Sequence, residues 1–295
     1  MEQNYLKQAL ARTETEGILS EMDLKIEEDG ENKEKSIKGS ITVKTGDINF
    51  TKYEINSKEF TKKGDNNPSY QNLLGFMDRA HSIAEVGEEE ATCVSIRSGQ
   101  LQPYTSFNDR GVAFHNISYK TGFINIINKE KCNPKSIFKL ECFIKDMDDE
   151  LDTQEMPTGR LILHALVPIY NNGIESLDVV VPQEYAQAAE RLFSTPGRES
   201  AFIMGRIGNS VQLRKNEIEF EIGGSVTEYS EDRNDELVLT NAKTMDDPYE
   251  LETIQRAVAE YDLVLEDRKK KRMENASNNK STNSAAGTQR RNFGF

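Results

Sequence analysis

The chain has 295 residues, 36% of them hydrophobic and 29% charged, with a net charge of −13 at pH 7. That length holds two modest domains with their own cores, and no apolar run approaches the roughly 20 residues of a membrane span. The charged start, MEQNYLKQALARTETEG, lacks the apolar centre of a signal peptide, so the chain is expected to stay in the compartment that makes it.

The three cysteines, Cys93, Cys132 and Cys142, form no C-x-x-C pair and no Cys/His cluster, and read as reduced, mostly packed thiols. Tryptophan is absent, so any stacking on bases falls to Phe and Tyr. The charge is uneven. From Arg268 to Phe295 there are eight Lys and Arg against one Glu, which leaves about −20 for the rest of the chain.

From the N-terminus, residues 17–26 (GILSEMDLKI) read as a strand. Residues 36–43 and 47–56 alternate apolar and polar side chains on either side of Thr45-Gly46, the pattern of a hairpin. The Lys-rich turn KEFTKKGDNNPS leads to a predicted helix over about 69–86, with Leu73, Leu74, Met77, Ala80 and Ile83 on its apolar side. Residues 91–99, 111–117 and 122–127 follow as strands.

In the second half, residues 138–144 form a strand. Leu161, Leu163, Ala165, Val167 and Ile169 then share one strand face, with Ile162, His164 and Leu166 on the other. Asn171-Asn172-Gly173 supplies the positive-φ positions of a tight hairpin, 174–181 is the return strand, and Pro182 stops it. Residues 183–193 read as a helix with Tyr185, Ala188, Ala189 and Leu192 on one face. Strands over 201–207 and 217–222, and a final pair over 226–229 and 237–241, complete the half. Asp247-Pro248 predicts a helix N-cap with a first-turn proline, and Leu251, Ile254, Val258, Tyr261 and Leu265 make a stripe running down to RKKKR at 268–272. The text ENASNNKSTNSAAGTQ that follows is low-complexity and reads as disordered, and the chain ends RRNFGF.

Each half runs strand, strand, strand, helix, strand, strand. This is the order of an oligonucleotide-binding barrel, whose helix separates the third and fourth strands. The predicted fold is mainly β with minor α: two tandem five-stranded Greek-key OB-fold barrels over 1–133 and 134–245, an amphipathic C-terminal helix over 246–272, and a disordered basic tail over 273–295 with an aromatic tip.

The segments EGILSEMDLKI, TVKTGDINFTKYEINSKEFTKKG, MPTGRLILHALVPIYNNGIESLDVVVPQEYAQA and DDPYELETIQRAVAEYDLVLEDRKKKR resemble a family of phage-encoded single-stranded-DNA-binding proteins of Gram-positive hosts. The resemblance spans Glu16 to Arg272 and is one of order and texture, with no short diagnostic motif. It implies a duplicated oligonucleotide-binding fold, a C-terminal helix, a flexible tail, and a place in phage DNA replication or recombination in the cytoplasm of a bacterial host. Bacterial single-stranded-DNA-binding proteins are similar in ending on a disordered tail with an aromatic tip. Theirs is acidic before a final Pro-Phe, whereas this one is basic with Gly294 before Phe295.

Sequence-tolerant single-strand binding needs aromatic faces for bases and cations for phosphates. The first repeat offers both: Phe50, Lys52, Tyr53, Lys58, Phe60, Lys62 and Lys63 on the second hairpin strand and the loop after it, and Arg97, Tyr104, Phe107 and Arg110 on the fourth strand and beyond. Against this stands a plainer account, in which Phe50 or Tyr53 is core and the lysines are a solvated edge. The second repeat has Tyr170, Arg206, Arg214, Lys215 and Tyr229, but its last strands carry EYSEDRNDEL, which repels phosphate. The acid run Asp146, Asp148, Asp149 and Asp152 lacks the spacing and glycine of a calcium loop. The run 268–272 either complements the dipole at a helix C-terminus or supplies phosphate contacts.

No phosphate-binding loop, zinc-protease or serine-hydrolase motif is present, Gly205-Arg206-Ile207-Gly208 follows a strand where a backbone clamp joins two helices, and His81, His115 and His164 are isolated. Catalysis, a metal and a cofactor are therefore not expected. The expected partner is single-stranded DNA, with Arg290, Arg291, Phe293 and Phe295 contacting replication or recombination proteins and the chain a monomer or weak homo-oligomer. The alternative is an interaction module that recruits such an enzyme without strong DNA binding of its own.

Overall fold

Strict alternation decides most of this fold. In β3 (Phe50–Lys58), Thr51, Tyr53, Ile55 and Ser57 are buried while Phe50, Lys52, Glu54, Asn56 and Lys58 face outward, as the two-residue period of a strand requires. The computed structural model describes residues 6–29, 34–194, 197, 199–220 and 224–285. The predicted tail contacts Arg290, Arg291, Phe293 and Phe295 lie outside the described residues.

The first half contains β1 (Ala11–Asp29), β2 (Glu34–Lys44), β3, α1 (Pro68–Met77), α2 (Ile83–Val86), β4 (Cys93–Phe107), β5 (Ala113–Lys120) and a short β6 (Asn125–Ile127). The second contains β7 (Lys135–Leu151), β8 (Pro157–Pro168), β9 (Ile174–Val181), α3 (Gln183–Phe193), β10 (Ser200–Phe220) and β11 (Gly224–Thr244), and α4 (Leu251–Ala285) follows. In the first half β1 pairs with β2, β2 with β3, β3 in parallel with β5, β5 with β4, and β4 back with β1, so the pairing closes on itself. In the second, β7, β8, β9, β11 and β10 repeat that circuit, again with one parallel step, β9 to β11. The two rings are joined edge to edge where the first strand of each meets: Ala11–Glu16 of β1 lies antiparallel to Lys135–Leu140 of β7. Their apolar interiors form one continuous core.

Four predicted elements are corrected. The helix over 69–86 is two helices, because the chain turns after Met77 and Ser82 and Glu85 form a capping box that starts α2. Its core face is Tyr70, Leu73 and Phe76, and Leu74 is exposed. The paired short strands over 201–241 are instead one long ribbon, β10 and β11, each of 21 residues. Backbone pairing, which needs no apolar side chain, carries the ribbon through its polar stretches. The C-terminal helix begins at Leu251 and not at Asp247-Pro248, and Asp247 accepts from Lys7 Nζ at 3.1 Å. It also continues to Ala285, through much of the stretch predicted to be disordered.

Side-chain hydroxyls knit the seam between the rings. Thr13, Thr15, Thr51, Tyr53 and Ser136 are all buried. The Tyr53 hydroxyl lies 2.9 Å from Thr13 Oγ1 and 2.7 Å from Thr15 Oγ1, and Ser136 Oγ is 2.8 Å from Thr15 Oγ1 and 3.0 Å from Thr51 Oγ1. Paired in this way, they avoid the cost of burying unsatisfied polar groups. Gly39 in β2 is required by geometry: its φ is +138°, and a Cβ there would lie 1.9 Å from the Asp23 carbonyl oxygen.

Glu175 at the start of β9 is the second joint, and it is 2% exposed. Thr105 of β4 donates to its Oε2 at 2.7 Å, Tyr261 of α4 donates to its Oε1, and Arg268 Nη1 lies 3.7 Å from the same oxygen. Burial first, and then the carboxylate, push the Tyr261 hydroxyl up to about 12, so it remains a donor at ordinary pH. Arg268 also packs over the Tyr261 ring, 5.4 Å from its centroid. One carboxylate thus ties the first ring, the second ring and the C-terminal helix. Replacing Glu175 by Ala leaves two buried hydroxyls without their acceptor and should cost about 3 kcal/mol. Urea denaturation checks this: a lower midpoint at unchanged slope is expected.

Candidate nucleic-acid interface

The outward side chains of β3 line up in chain order, and two clefts lie along them. The larger, about 800 Å³, is lined by Phe50, Lys52, Tyr104, His115, Asn116 and Ser118, with Glu21, Glu54 and Asp235 also on its walls. The smaller, about 480 Å³, is lined by Lys38, Glu54, Asn56, Ser98, Gln100 and Lys120. Glu54 lines both, so the clefts adjoin end to end along the outside of the first ring.

The strand register orders the groove. Glu54 of β3 sits beside Lys120 of β5 in the parallel step, their charged groups 3.9 Å apart. On the antiparallel β4–β5 ribbon, Tyr104 faces Asn116 and Ser106 faces Phe114, and Asn116 Nδ2 donates to Ser106 Oγ at 2.9 Å. Directly opposed residues share a face, so Tyr104 and Phe114 are diagonal neighbours. Both are exposed, at 45% and 49%. The second ring supplies the far wall. Asn49, just before Phe50, donates through Nδ2 to the Ile207 carbonyl at 3.2 Å, and its Oδ1 accepts from the Asn209 amide at 2.7 Å. Asn209 lines the larger cleft, with its Oδ1 buried and its side chain against the Tyr119 hydroxyl.

The predicted site residues divide accordingly. Phe50, Lys52 and Tyr104 are brought together in the larger cleft. Lys58 faces outward at the end of β3, paired with Glu34 at 3.1 Å, and Phe60, Lys62 and Lys63 follow on the exposed turn beyond it. Arg97 is exposed beside Ser98 of the smaller cleft. Phe107 ends β4, and Arg110 is exposed on the β4–β5 turn. Tyr53 is a correction: it is fully buried in the first ring, so no base can reach its face. Its ring packs at 6.0 Å from that of Tyr119, and burial raises its pKa.

Sequence reasoning missed Phe114, His115, Asn116 and Asn209. The signal for Phe114 is the alternation in AFHNIS once β4 is carried on to Phe107, because the ribbon register then places it with Tyr104. His115 Nδ1 is 3.2 Å from Thr105 Oγ1. The single Thr105 proton goes to Glu175, so Thr105 Oγ1 accepts from His115 Nδ1.

The outer face of the second ring over β7, β8 and β9 is acidic. His164 on β8 lies 2.7 Å from Asp178 Oδ1 and 3.2 Å from Asp148 Oδ2. Burial alone would lower its pKa, but Asp178, Asp146 and Asp148 together outweigh this and raise it. Of the second-repeat residues, Tyr170 is 80% exposed at the β8–β9 turn, Arg206 is exposed on β10, and Arg214, Lys215 and Tyr229 lie on the β10–β11 ribbon.

The profile of the YorF family matches residues 10–272. This chain belongs to the YorF family. The match takes in both rings of this YorF-family protein and α4 as far as Arg272. No curated protein matches it. Among solved structures, the wild-type single-stranded DNA binding protein from Thermus aquaticus is similar with a TM-score of 0.47 and 10% identity, over 83% of this chain and 97% of that one. A replication protein A heterotrimer bound to single-stranded DNA is similar with a TM-score of 0.23 and 8% identity, over 88% of this chain and 70% of that one. No helix among the described residues is long and apolar enough to cross a membrane.

The raised pKa of His164 gives a pH signature. Its stabilising charge is fully present below the unfolded value of about 6.5 and is lost as pH rises through the higher folded value. His164→Asn should therefore lower the melting temperature at pH 5.5 and change it little at pH 9. Paired thermal melts of the two proteins across that range check this.

Proposed function

We propose that the chain binds single-stranded DNA along the outer face of its first ring, and that both rings are oligonucleotide-binding barrels. The observation that carries this reading is the pair of adjoining clefts, where outward-facing aromatic rings sit beside polar side chains and cations. Phe50 and Tyr104 line the larger cleft, Phe114 stands diagonally beside Tyr104 on the ribbon, and Asn116 and Asn209 add polar walls. Along β3 the clefts run from Phe50 to Asn56, which at about 3.3 Å per residue is near 20 Å, on the scale of the lower end of the ~4–16 nucleotides covered by one barrel.

Charge within the groove is mixed. Lys52 stands against Glu21, Glu54 and Asp235 in the larger cleft, so stacking carries the affinity there and cations act at the ends, where Lys58, Lys62 and Lys63 sit. The acidic second ring does not bind DNA in this reading but walls the groove through Asn209. A role in phage DNA replication or recombination follows from the family resemblance of the sequence.

A second reading is favoured by that mixed charge and by the Asp148–His164–Asp178 face: an interaction module that recruits a replication enzyme. Fluorescence anisotropy with an oligo-dT of about 30 nucleotides, against a duplex of equal length, separates the two. Phe50→Ala and Tyr104→Ala should each weaken single-strand binding by about 1–3 kcal/mol, or roughly 5- to 150-fold. Absence of single-strand binding at low salt would leave the interaction module.

A further inference from the structure

The basic run of α4 had a bland explanation in the sequence, namely cations at a helix C-terminus. That explanation fails here, because α4 continues past Arg272 to Ala285 and the run lies within the helix. What holds the run in place is the body of the protein. Arg268 reaches the buried Glu175 and lies over the Tyr261 ring, and Arg272 Nη2 is 2.9 Å from Asp109 Oδ1 on the β4–β5 turn. Between these two anchors the helix crosses that turn closely. A Cβ added to Gly111 would lie 3.0 Å from Lys269 Cε and 2.9 Å from Met273 Sδ. The turn is the outer end of the ribbon that carries Tyr104 and then Phe114, and it carries Arg110 as well.

The parallel step between β3 and β5 fixes the direction. Moving from Lys120 toward the start of β5 runs beside β3 from Glu54 toward Phe50, and then onward to Phe114 and the turn. We propose that the nucleic-acid track does not end at Phe50 but continues along the ribbon onto α4, where Arg110, Lys269 and Lys270 take the phosphates. The track would then have cations at both ends, Lys62 and Lys63 at one and the α4 run at the other, with the aromatic groove between. Lys271 is 2.7 Å from Asp267 and Lys269 is 3.8 Å from Glu266, so their charges are partly met within the helix. Lys270 is exposed.

This inference rests on the single-strand reading above, and its test separates the two. The full chain and its Lys269→Gln/Lys270→Gln variant are titrated with dT oligomers of about 8 and about 30 nucleotides over a range of salt. Gln keeps helix propensity close to that of Lys, so α4 stays folded, and circular dichroism confirms it. The expected result is little change for the short oligomer, which fits the groove alone, and several-fold weaker binding of the long one. The salt slope for the long oligomer should fall by about 1.4, or ~0.7 for each phosphate that is no longer neutralised. Unchanged binding and slope for the long oligomer, or an equal loss for both lengths, overturns the extension while leaving the groove. Failure of the unmodified chain to bind either oligomer removes the single-strand reading and this one with it.

Discussion

A single buried carboxylate, Glu175, holds the arrangement on which the proposed groove depends. It is almost fully enclosed, and its partners come from two other elements that meet it on β9: Thr105 of β4, and Tyr261 and Arg268 of α4. A buried charge is costly unless hydrogen bonds and an opposite charge compensate it. Here both are supplied only when the two rings and the helix are assembled together. The carboxylate therefore makes the relative placement of these parts cooperative. His115 stands one hydrogen bond further out, so the same joint reaches the wall of the larger cleft.

The two rings share a connectivity and differ in what they expose. On the first, outward positions of β3, β4 and β5 hold Phe50, Tyr104 and Phe114 among amides and lysines. On the second, β7, β8 and β9 present His164 between Asp148 and Asp178. With a net charge of −13, the chain does not attract duplex DNA through its overall field, and any affinity has to come from local contacts. Aromatic stacking suits that constraint, because it is weakly dependent on salt and is available only from unpaired bases. Cations concentrated at the ends of a groove add attraction without reversing the sign of the whole.

Much of the strand layout was legible because the core imposes period-two burial. β9 and α3 fall at the residues the sequence indicates, since Pro182 separates them and Asn171-Asn172 supplies the two left-handed positions of the hairpin, with φ of 65° and 58°. The long β10–β11 ribbon was not legible. Its outer part is held by mutual backbone pairing, which leaves no periodic apolar signature. The site was legible in composition and only partly in geometry. Phe50 and Tyr53 are three residues apart on a strand, so they must face opposite ways, and the sequence alone did not say which one was inside. Phe114 and Asn209 were missed because their relevance depends on register across strands, which no local pattern encodes.

The central claim is that bases lie on the outer face of the first ring. Photo-crosslinking of the full chain to an oligonucleotide bearing 5-iodo-deoxyuridine, followed by peptide mapping, tests it most directly. The account predicts crosslinks at Phe50, Tyr104 and Phe114, with fewer at Phe60. Crosslinks confined to the second ring, or none above those of an unrelated acidic protein, would contradict it.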